Sequence, residues 1–313
     1  MTDLASIGAA LEQRLPDRVT RDAPGGALTT YRCGGTLAVL VRVDDERDLA
    51  LVSEVVGPSG VRVLVVGRGS NLLIADDGFA GVAVILGVGF EGLAIDRDRA
   101  AVEAGGAVAL PVLARRAAAA GITGLEFYVG IPGSVGGAVK MNAGGHGSQT
   151  DDVITGARVF DLDAGRAADL APSSLGLSYR TSALTERAIV TAATVRGAPD
   201  APAACAARID DIVRWRREHQ PGGQNAGSVF TNPPGDAAGR IIDAAGCKGL
   251  RIGGAVVSEK HANFFVADAG ATAADVYALV REVRRRVADA TGLVLEPELR
   301  FVGFPPCRPE RAS

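Results

Sequence analysis

Apolar residues recur at helical spacing over residues 3–15, and the run stops at Pro16, which predicts an opening helix. Residues 37–43 read as a strand, and residues 44–56 return to helical spacing with Asp44 placed as the N-cap. A short strand over residues 61–66, apolar except for Arg62, runs directly into Gly67-Arg68-Gly69-Ser70-Asn71. Strand, helix, strand and glycine-rich turn make a first α/β unit that closes near residue 95.

Beyond residue 100 the strands shorten around a helical segment at 109–120, with Pro111 in its first turn. A glycine-rich stretch fills 130–147, and strands follow at 153–160 and 189–195. Residues 198–204, rich in Ala and Pro, read as a linker. A charged helix at 206–220 then stops at Pro221, a second helix covers 236–245, and 263–266 is a strand. The clearest helix spans 272–290, with Thr272 as N-cap and Asp275 three residues on. This order predicts three parts: 1–95, 96–198 and 199–313.

Length supports more than one part, since 313 residues exceed the modal single domain. The 33 basic and 36 acidic residues are interspersed, leaving a formal charge of −3, so no footprint for nucleic acid or an anionic membrane stands out. Cys33, Cys205, Cys247 and Cys307 lie far apart and match no metal-ligand spacing. No apolar run reaches the length of a membrane span and no signal pattern opens the chain, so a cytoplasmic protein with reduced thiols is expected. Partners are then small molecules or other copies.

Two segments carry candidate chemistry. In Gly67-Arg68-Gly69-Ser70-Asn71-Leu72, glycines let backbone N–H groups approach a ligand closely, and Ser and Asn add short polar side chains. The segment matches neither the GxGxxG nor the P-loop pattern, and an ordinary tight turn is the competing reading. Residues 130–145 hold six glycines among Ile131, Val135, Val139 and Met141. Linkers are rarely so apolar, which favours a packed segment wrapping a ligand.

These segments resemble elements of one family. The run Gly130-Ile131-Pro132-Gly133-Ser134-Val135-Gly136-Gly137-Ala138-Val139-Lys140-Met141-Asn142-Ala143-Gly144 is similar to the GIPGSVGGAVxMNAG signature of the UDP-N-acetylenolpyruvoylglucosamine reductase (MurB) family. Gly67 to Leu73 resembles its GxGSNLL element, and Thr29-Thr30-Tyr31-Arg32-Cys33-Gly34-Gly35 its early TxxxGG element. Tyr179-Arg180-Thr181-Ser182, Ala226-Gly227-Ser228-Val229-Phe230-Thr231-Asn232-Pro233 and Leu295-Glu296-Pro297-Glu298-Leu299-Arg300 resemble its YRxS, AGSxFxNP and LEPEhR elements, in family order.

The resemblance implies an α+β fold of the vanillyl-alcohol-oxidase (PCMH) type, with two subdomains holding noncovalent FAD and a C-terminal α+β domain binding substrate. It implies reduction of UDP-N-acetylglucosamine enolpyruvate to UDP-N-acetylmuramate, a peptidoglycan precursor, with NADPH as donor. The cofactor would lie along Gly67, Arg68, Gly69, Ser70, Asn71 and Leu72, and along Gly130, Ile131, Pro132, Gly133, Ser134, Gly136, Gly137, Asn142, Ala143 and Gly144. By the same resemblance Ser228 is the general acid that protonates substrate C2, and Arg180 and Glu298 stabilise the enol. Tyr179, Asn232, Lys260 and His261 are candidates for substrate contact, and no metal is expected. Thr231 stands where many relatives carry Lys. Only 48 positions separate Arg180 from Ser228, as in the subtype without an inserted substrate-capping loop.

Taken alone, each catalytic candidate has a plainer reading: Ser228 as a cap, Arg180 as a surface residue, Glu298 as a solvated carboxylate beside Glu296. Two other functions compete. One is an oxidase of the same fold, for which His146 would be the tether of a covalent flavin; the other is a non-catalytic flavin or nucleotide-sugar binder.

Overall fold

A computed structural model describes residues 3–305; Cys307 lies outside the described residues. The chain forms two compact units. Among the described residues, the first comprises 3–23, 37–68 and 80–216, and the second 24–36, 69–79 and 217–305.

In the first unit the opening helix is Leu4–Arg14, and Leu11, on its inner face, is fully buried. Strand Thr36–Val43 alternates buried and open positions and pairs within a four-stranded sheet that also holds Val63–Val66 and Phe79–Leu86. Helix Glu46–Val56 starts one residue later than its sequence suggests, because the cap is Asp45, whose side chain accepts the Asp48 N–H. Asp44 instead pairs with Arg18 at 3.0 Å. A five-stranded antiparallel sheet follows, with Ile154–Asp161, Ala188–Arg196 and Ala101–Gly105 as its inner strands. Helix Leu110–Ala119 buries Leu110, Leu113, Ala114 and Ala117 in the same apolar core as Tyr128 and Val135.

The segment expected as a linker is structured. Ala198–Pro199 pairs with Ile122–Thr123, and the next helix already begins at Pro202, where a first-turn proline needs no N–H partner. Composition misled here because Ala and Pro suit a helix start as well as a loop.

The second unit is built around helix Ala273–Thr291. Thr272 and Asp275 form a complete capping box, and the Asp275 carboxylate, accepting the Thr272 and Gly254 N–H groups, is held below the usual carboxylate range. Val276, Leu279, Val280, Val283 and Val287 form its fully buried stripe, spaced to face a three-stranded sheet that includes Ala255–Val257 and Phe265–Ala267. No helix among the described residues is long and apolar enough to cross a membrane.

Candidate active site

The glycines of the first unit divide into two kinds. A Cβ at Gly67 would stand 2.6 Å from Ser134 Oγ, one at Gly136 would meet the Val190 and Gly106 carbonyls at 3.1 and 3.2 Å, and one at Gly130 would touch the His146 ring at 3.2 Å. These glycines let the chain pack on itself. At Gly137 the nearest atom is 3.5 Å away and the residue is exposed, and Gly145 meets nothing within 4 Å, so both leave open space beside the backbone.

Residues 130–144 contain a helix, Val135–Met141, that their glycine content conceals in the sequence. Ser134 caps it, its Oγ accepting the Gly137 N–H at 3.3 Å, while the Val135 and Gly136 N–H groups bond the Val108 and Gly106 carbonyls at 2.9 Å each. The amides of Gly133 and Ser134 donate to no acceptor among the described residues. Ile131 and Pro132 lead into this pair, Ile131 through a bond from its N–H to the Tyr128 carbonyl at 3.1 Å. The open donors are therefore fewer than the sequence suggests, and they sit at 133–134. His146 packs its ring edge-on against Trp215, with centroids 5.1 Å apart.

Arg180 sits at the third position of a tight turn in which Ser178 and Thr181 exchange backbone hydrogen bonds of 3.0 and 3.1 Å. Its φ is +59°, a left-handed conformation that a side chain with a Cβ adopts at a cost of about 1 kcal/mol. The guanidinium donates to the Gly144 carbonyl at 3.0 Å and more weakly to that of Asn142 at 3.4 Å, and lies 4.9 Å from the centre of the exposed Tyr179 ring. Glycine would satisfy this turn better. Arginine there marks a position where the side chain outweighs the backbone penalty.

In the second unit Gly69 has a φ of +61°, and a Cβ there would collide with the Leu28 carbonyl at 1.8 Å. The amide N–H groups of Gly69, Ser70 and Asn71 meet no acceptor among the described residues, giving three consecutive open donors, the arrangement that cradles an anion. The Asn71 side chain faces another way: its Nδ2 donates to the Glu298 carbonyl at 3.0 Å. The strand that follows, Leu72–Ile74, runs parallel to Arg300–Val302. Arg68, the last residue of its first-unit segment, is exposed.

The segments that carry Ser228 and Glu298 are bonded to each other through their backbones. Ser228 bridges Phe264, and the next residue, Val229, accepts the Glu298 N–H on its carbonyl at 2.8 Å. Buried Asn263 fixes this arrangement by accepting the Phe230 N–H at 3.0 Å and donating to the Phe230 carbonyl at 2.8 Å; sequence reading passed it over. The Ser228 hydroxyl makes no hydrogen bond among the described residues and caps no helix. Of the two carboxylates, Glu296 is exposed and paired with Arg284 at 3.4 Å, whereas Glu298 is half-buried beside the Ser228 segment.

Beside Ser228 lies a cleft of about 420 Å³ that Asn232, Arg240, Lys248 and His261 also line. Asn232 Oδ1 accepts the Ala238 N–H at 3.0 Å, and Lys248 is paired with Asp243 at 2.7 Å. Burial, together with the Lys248 charge, pushes the His261 imidazole below its ordinary pKa. Its Nδ1 accepts the Asn263 N–H at 3.2 Å, so the neutral ring carries its proton on Nε2, ready to donate. Lys260 does not line the cleft, and its ammonium donates to the Arg217 carbonyl. Arg240 and Lys248 were not singled out in the sequence. No cluster of three or more metal-ligating side chains stands among the described residues.

Comparison with known proteins places these features. Residues 37–171 match the family model of an FAD binding domain, and residues 219–302 that of the UDP-N-acetylenolpyruvoylglucosamine reductase C-terminal domain. The chain is 45% identical to the UDP-N-acetylenolpyruvoylglucosamine reductase of Paramagnetospirillum magneticum, over 93% of this chain and 94% of that one. It is 46% identical to that of Acidiphilium cryptum, over 97% and 98%. The crystal structure of the Thermus caldophilus reductase (MurB) superposes with a TM-score of 0.79 at 35% identity, covering 91% of this chain and 99% of that one. The expected α+β fold, an FAD binding domain followed by the reductase C-terminal domain, is the fold this chain has. With both family models matched in order and relatives aligned over nearly its whole length, the chain belongs to the UDP-N-acetylenolpyruvoylglucosamine reductase family.

Proposed function

We propose that the chain reduces UDP-N-acetylglucosamine enolpyruvate to UDP-N-acetylmuramate in the cytoplasm, with NADPH as electron donor and bound FAD as carrier, supplying peptidoglycan synthesis. The observation that carries this reading is the pairing of the Ser228 and Glu298 segments, with an unengaged Ser228 hydroxyl at the edge of a cleft that two cations line. The division into 1–95, 96–198 and 199–313 belongs to the same reading; the separate four- and five-stranded sheets support two parts before the C-terminal one, whereas 24–36 and 69–79 group with the second compact unit and 199–216 with the first.

FAD, when bound, supplies the two-electron chemistry that no side chain here offers. In the second unit the three consecutive open amides at 69–71 suit an anionic group such as its pyrophosphate, and in the first unit the open amides at 133–134 and the space beside Gly137 leave room for a bulky group. The chain's own residues do the rest. Ser228 Oγ–H delivers a proton to substrate C2. Arg180 and Glu298 stabilise the enol, Arg180 through its fixed positive charge against the negative charge that builds there. Arg240, Lys248 and the Nε2–H of His261 offer the cleft's donors to an acidic nucleotide sugar. Asn232 serves through the short helix Ala238–Ala244 that its Oδ1 engages.

The cofactor part of this reading is tested at Gly137. Valine there has room in the protein, so Gly137→Val is expected to be soluble and folded yet to lose most of its flavin absorbance per mole of protein. Gly136→Val, whose side chain meets two carbonyls, is expected to destabilise the fold instead. Full flavin occupancy in folded Gly137→Val would remove residues 130–137 from the cofactor site.

A further inference from the structure

We infer that Asn142 is a positioning residue for Arg180: its amide side chain, together with Ser182 and Lys140, holds the Arg180 turn against the end of helix Val135–Met141. The inference rests on the role proposed for Arg180. Asn142 ends that helix in a left-handed conformation, with φ +41° and ψ +55°, which Gly and Asn both accept. Backbone geometry alone therefore does not call for asparagine. The side chain explains the choice.

Asn142 is fully buried, and both ends of its amide are engaged within the chain. Nδ2 donates to the Ser178 carbonyl at 2.9 Å, and Oδ1 accepts the Asp151 N–H at 2.9 Å. Ser178 is the first residue of the turn that carries Arg180, so the amide grips the turn at its base. On the far side the Ser182 hydroxyl donates to the Lys140 carbonyl at 2.8 Å, and Lys140 Nζ donates to the Leu184 and Thr185 carbonyls at 2.6 and 2.9 Å. Arg180 is thus stitched down both before and after it in sequence. Its guanidinium closes the circuit on the Asn142 carbonyl at the helix end and on the Gly144 carbonyl two residues further on.

The clamp has work to do because the Arg180 backbone is strained at φ +59°. A tight turn released from its base relaxes toward commoner conformations, and the guanidinium swings with it. A displacement on the order of 1 Å in a charge-stabilising group costs about 10²-fold in rate.

The test uses FAD-loaded protein and reads the two half-reactions separately at the flavin absorbance, for Asn142→Ala, Ser182→Ala and Arg180→Ala, and for each of the first two combined with the third. Each rate is read per mole of bound flavin, and flavin reduction by NADPH is expected to stay near wild type throughout. Reoxidation by UDP-N-acetylglucosamine enolpyruvate is expected to slow by about 10- to 100-fold in Asn142→Ala and by several-fold in Ser182→Ala. Neither substitution is expected to slow it further once Arg180 is already Ala, because residues acting through one group are not additive. A residue that only stabilises the fold predicts the same fractional loss in both backgrounds, and that result overturns the inference. Normal reoxidation in Asn142→Ala beside slow reoxidation in Arg180→Ala overturns it while leaving Arg180 in place. Normal reoxidation in Arg180→Ala overturns the assignment of Arg180 and the inference together. Should Asn142→Ala fail to fold, Ser182→Ala, at a partly exposed position, carries the same comparison.

Discussion

Replacing Ser228 by Ala is expected to leave FAD binding and flavin reduction by NADPH nearly intact while slowing reoxidation by the enolpyruvyl substrate by about 10²- to 10⁴-fold, the usual worth of a positioned general acid. The structure separates this outcome from a folding defect. The segment around Ser228 is held by main-chain bonds, from Val229 N–H to the Asn263 carbonyl and from Glu298 N–H to the Val229 carbonyl, and by the Asn263 amide on Phe230. None of these uses the Ser228 hydroxyl, so its removal takes no internal bond away. A cap would cost about 1 kcal/mol when truncated and would leave both half-reactions alike. Stopped-flow traces of each half-reaction, with a thermal melt of the variant, distinguish the two.

Arg180→Gly carries the second large effect and reads strain and function at one position. On the role proposed for Arg180, loss of its charge is expected to slow reoxidation by about 10²- to 10³-fold. Stability is expected to move the other way relative to Arg180→Ala: both variants lose the guanidinium bonds, but glycine adopts φ +59° without penalty, so it is expected to be the more stable by about 1 kcal/mol. Paired melts and half-reaction rates check this. An Arg180→Gly variant as active as wild type would return Arg180 to the surface residue that its sequence alone suggests.

Much of the fold was legible because its elements repeat locally. Helix Ala273–Thr291 announces itself by the spacing of Val276, Leu279, Val280, Val283 and Val287 and by the Thr272 and Asp275 cap. Strands Ile154–Asp161 and Ala188–Arg196 fall within a residue of their apolar runs. Helix Val135–Met141 was not legible, since three of the signals used to find helices are absent where glycines replace side chains: periodicity, propensity and a long apolar face. The choice of Asp45 over Asp44 as a cap was invisible because either residue type and position satisfies the pattern.

The site was legible as a list of residues and much less as a set of relations. Asn71, read as a cofactor residue from its place in a glycine-rich turn, spends its side chain on the Glu298 backbone across 227 positions of sequence. Asn263, read only as the start of a strand, gave no sign that it holds the Ser228 segment in place. Such long-range bonds have no local signature, so motif matching named Ser228 and Glu298 without revealing that they lie on adjacent segments. Lys260 and His261, equal in the sequence, part company in the fold: His261 lines the cleft with a neutral ring, and Lys260 turns to the Arg217 carbonyl.

The central claim, that this flavoprotein delivers its electrons to an enolpyruvyl nucleotide sugar, is tested most directly by reducing the FAD-loaded wild-type protein anaerobically and mixing it with UDP-N-acetylglucosamine enolpyruvate. Rapid return of the oxidised flavin absorbance with formation of UDP-N-acetylmuramate, much faster than with oxygen in its place, is the predicted result. Flavin that stays reduced in the presence of that substrate, but turns over rapidly with oxygen and a simple alcohol donor, would contradict it and favour an oxidase of the same fold.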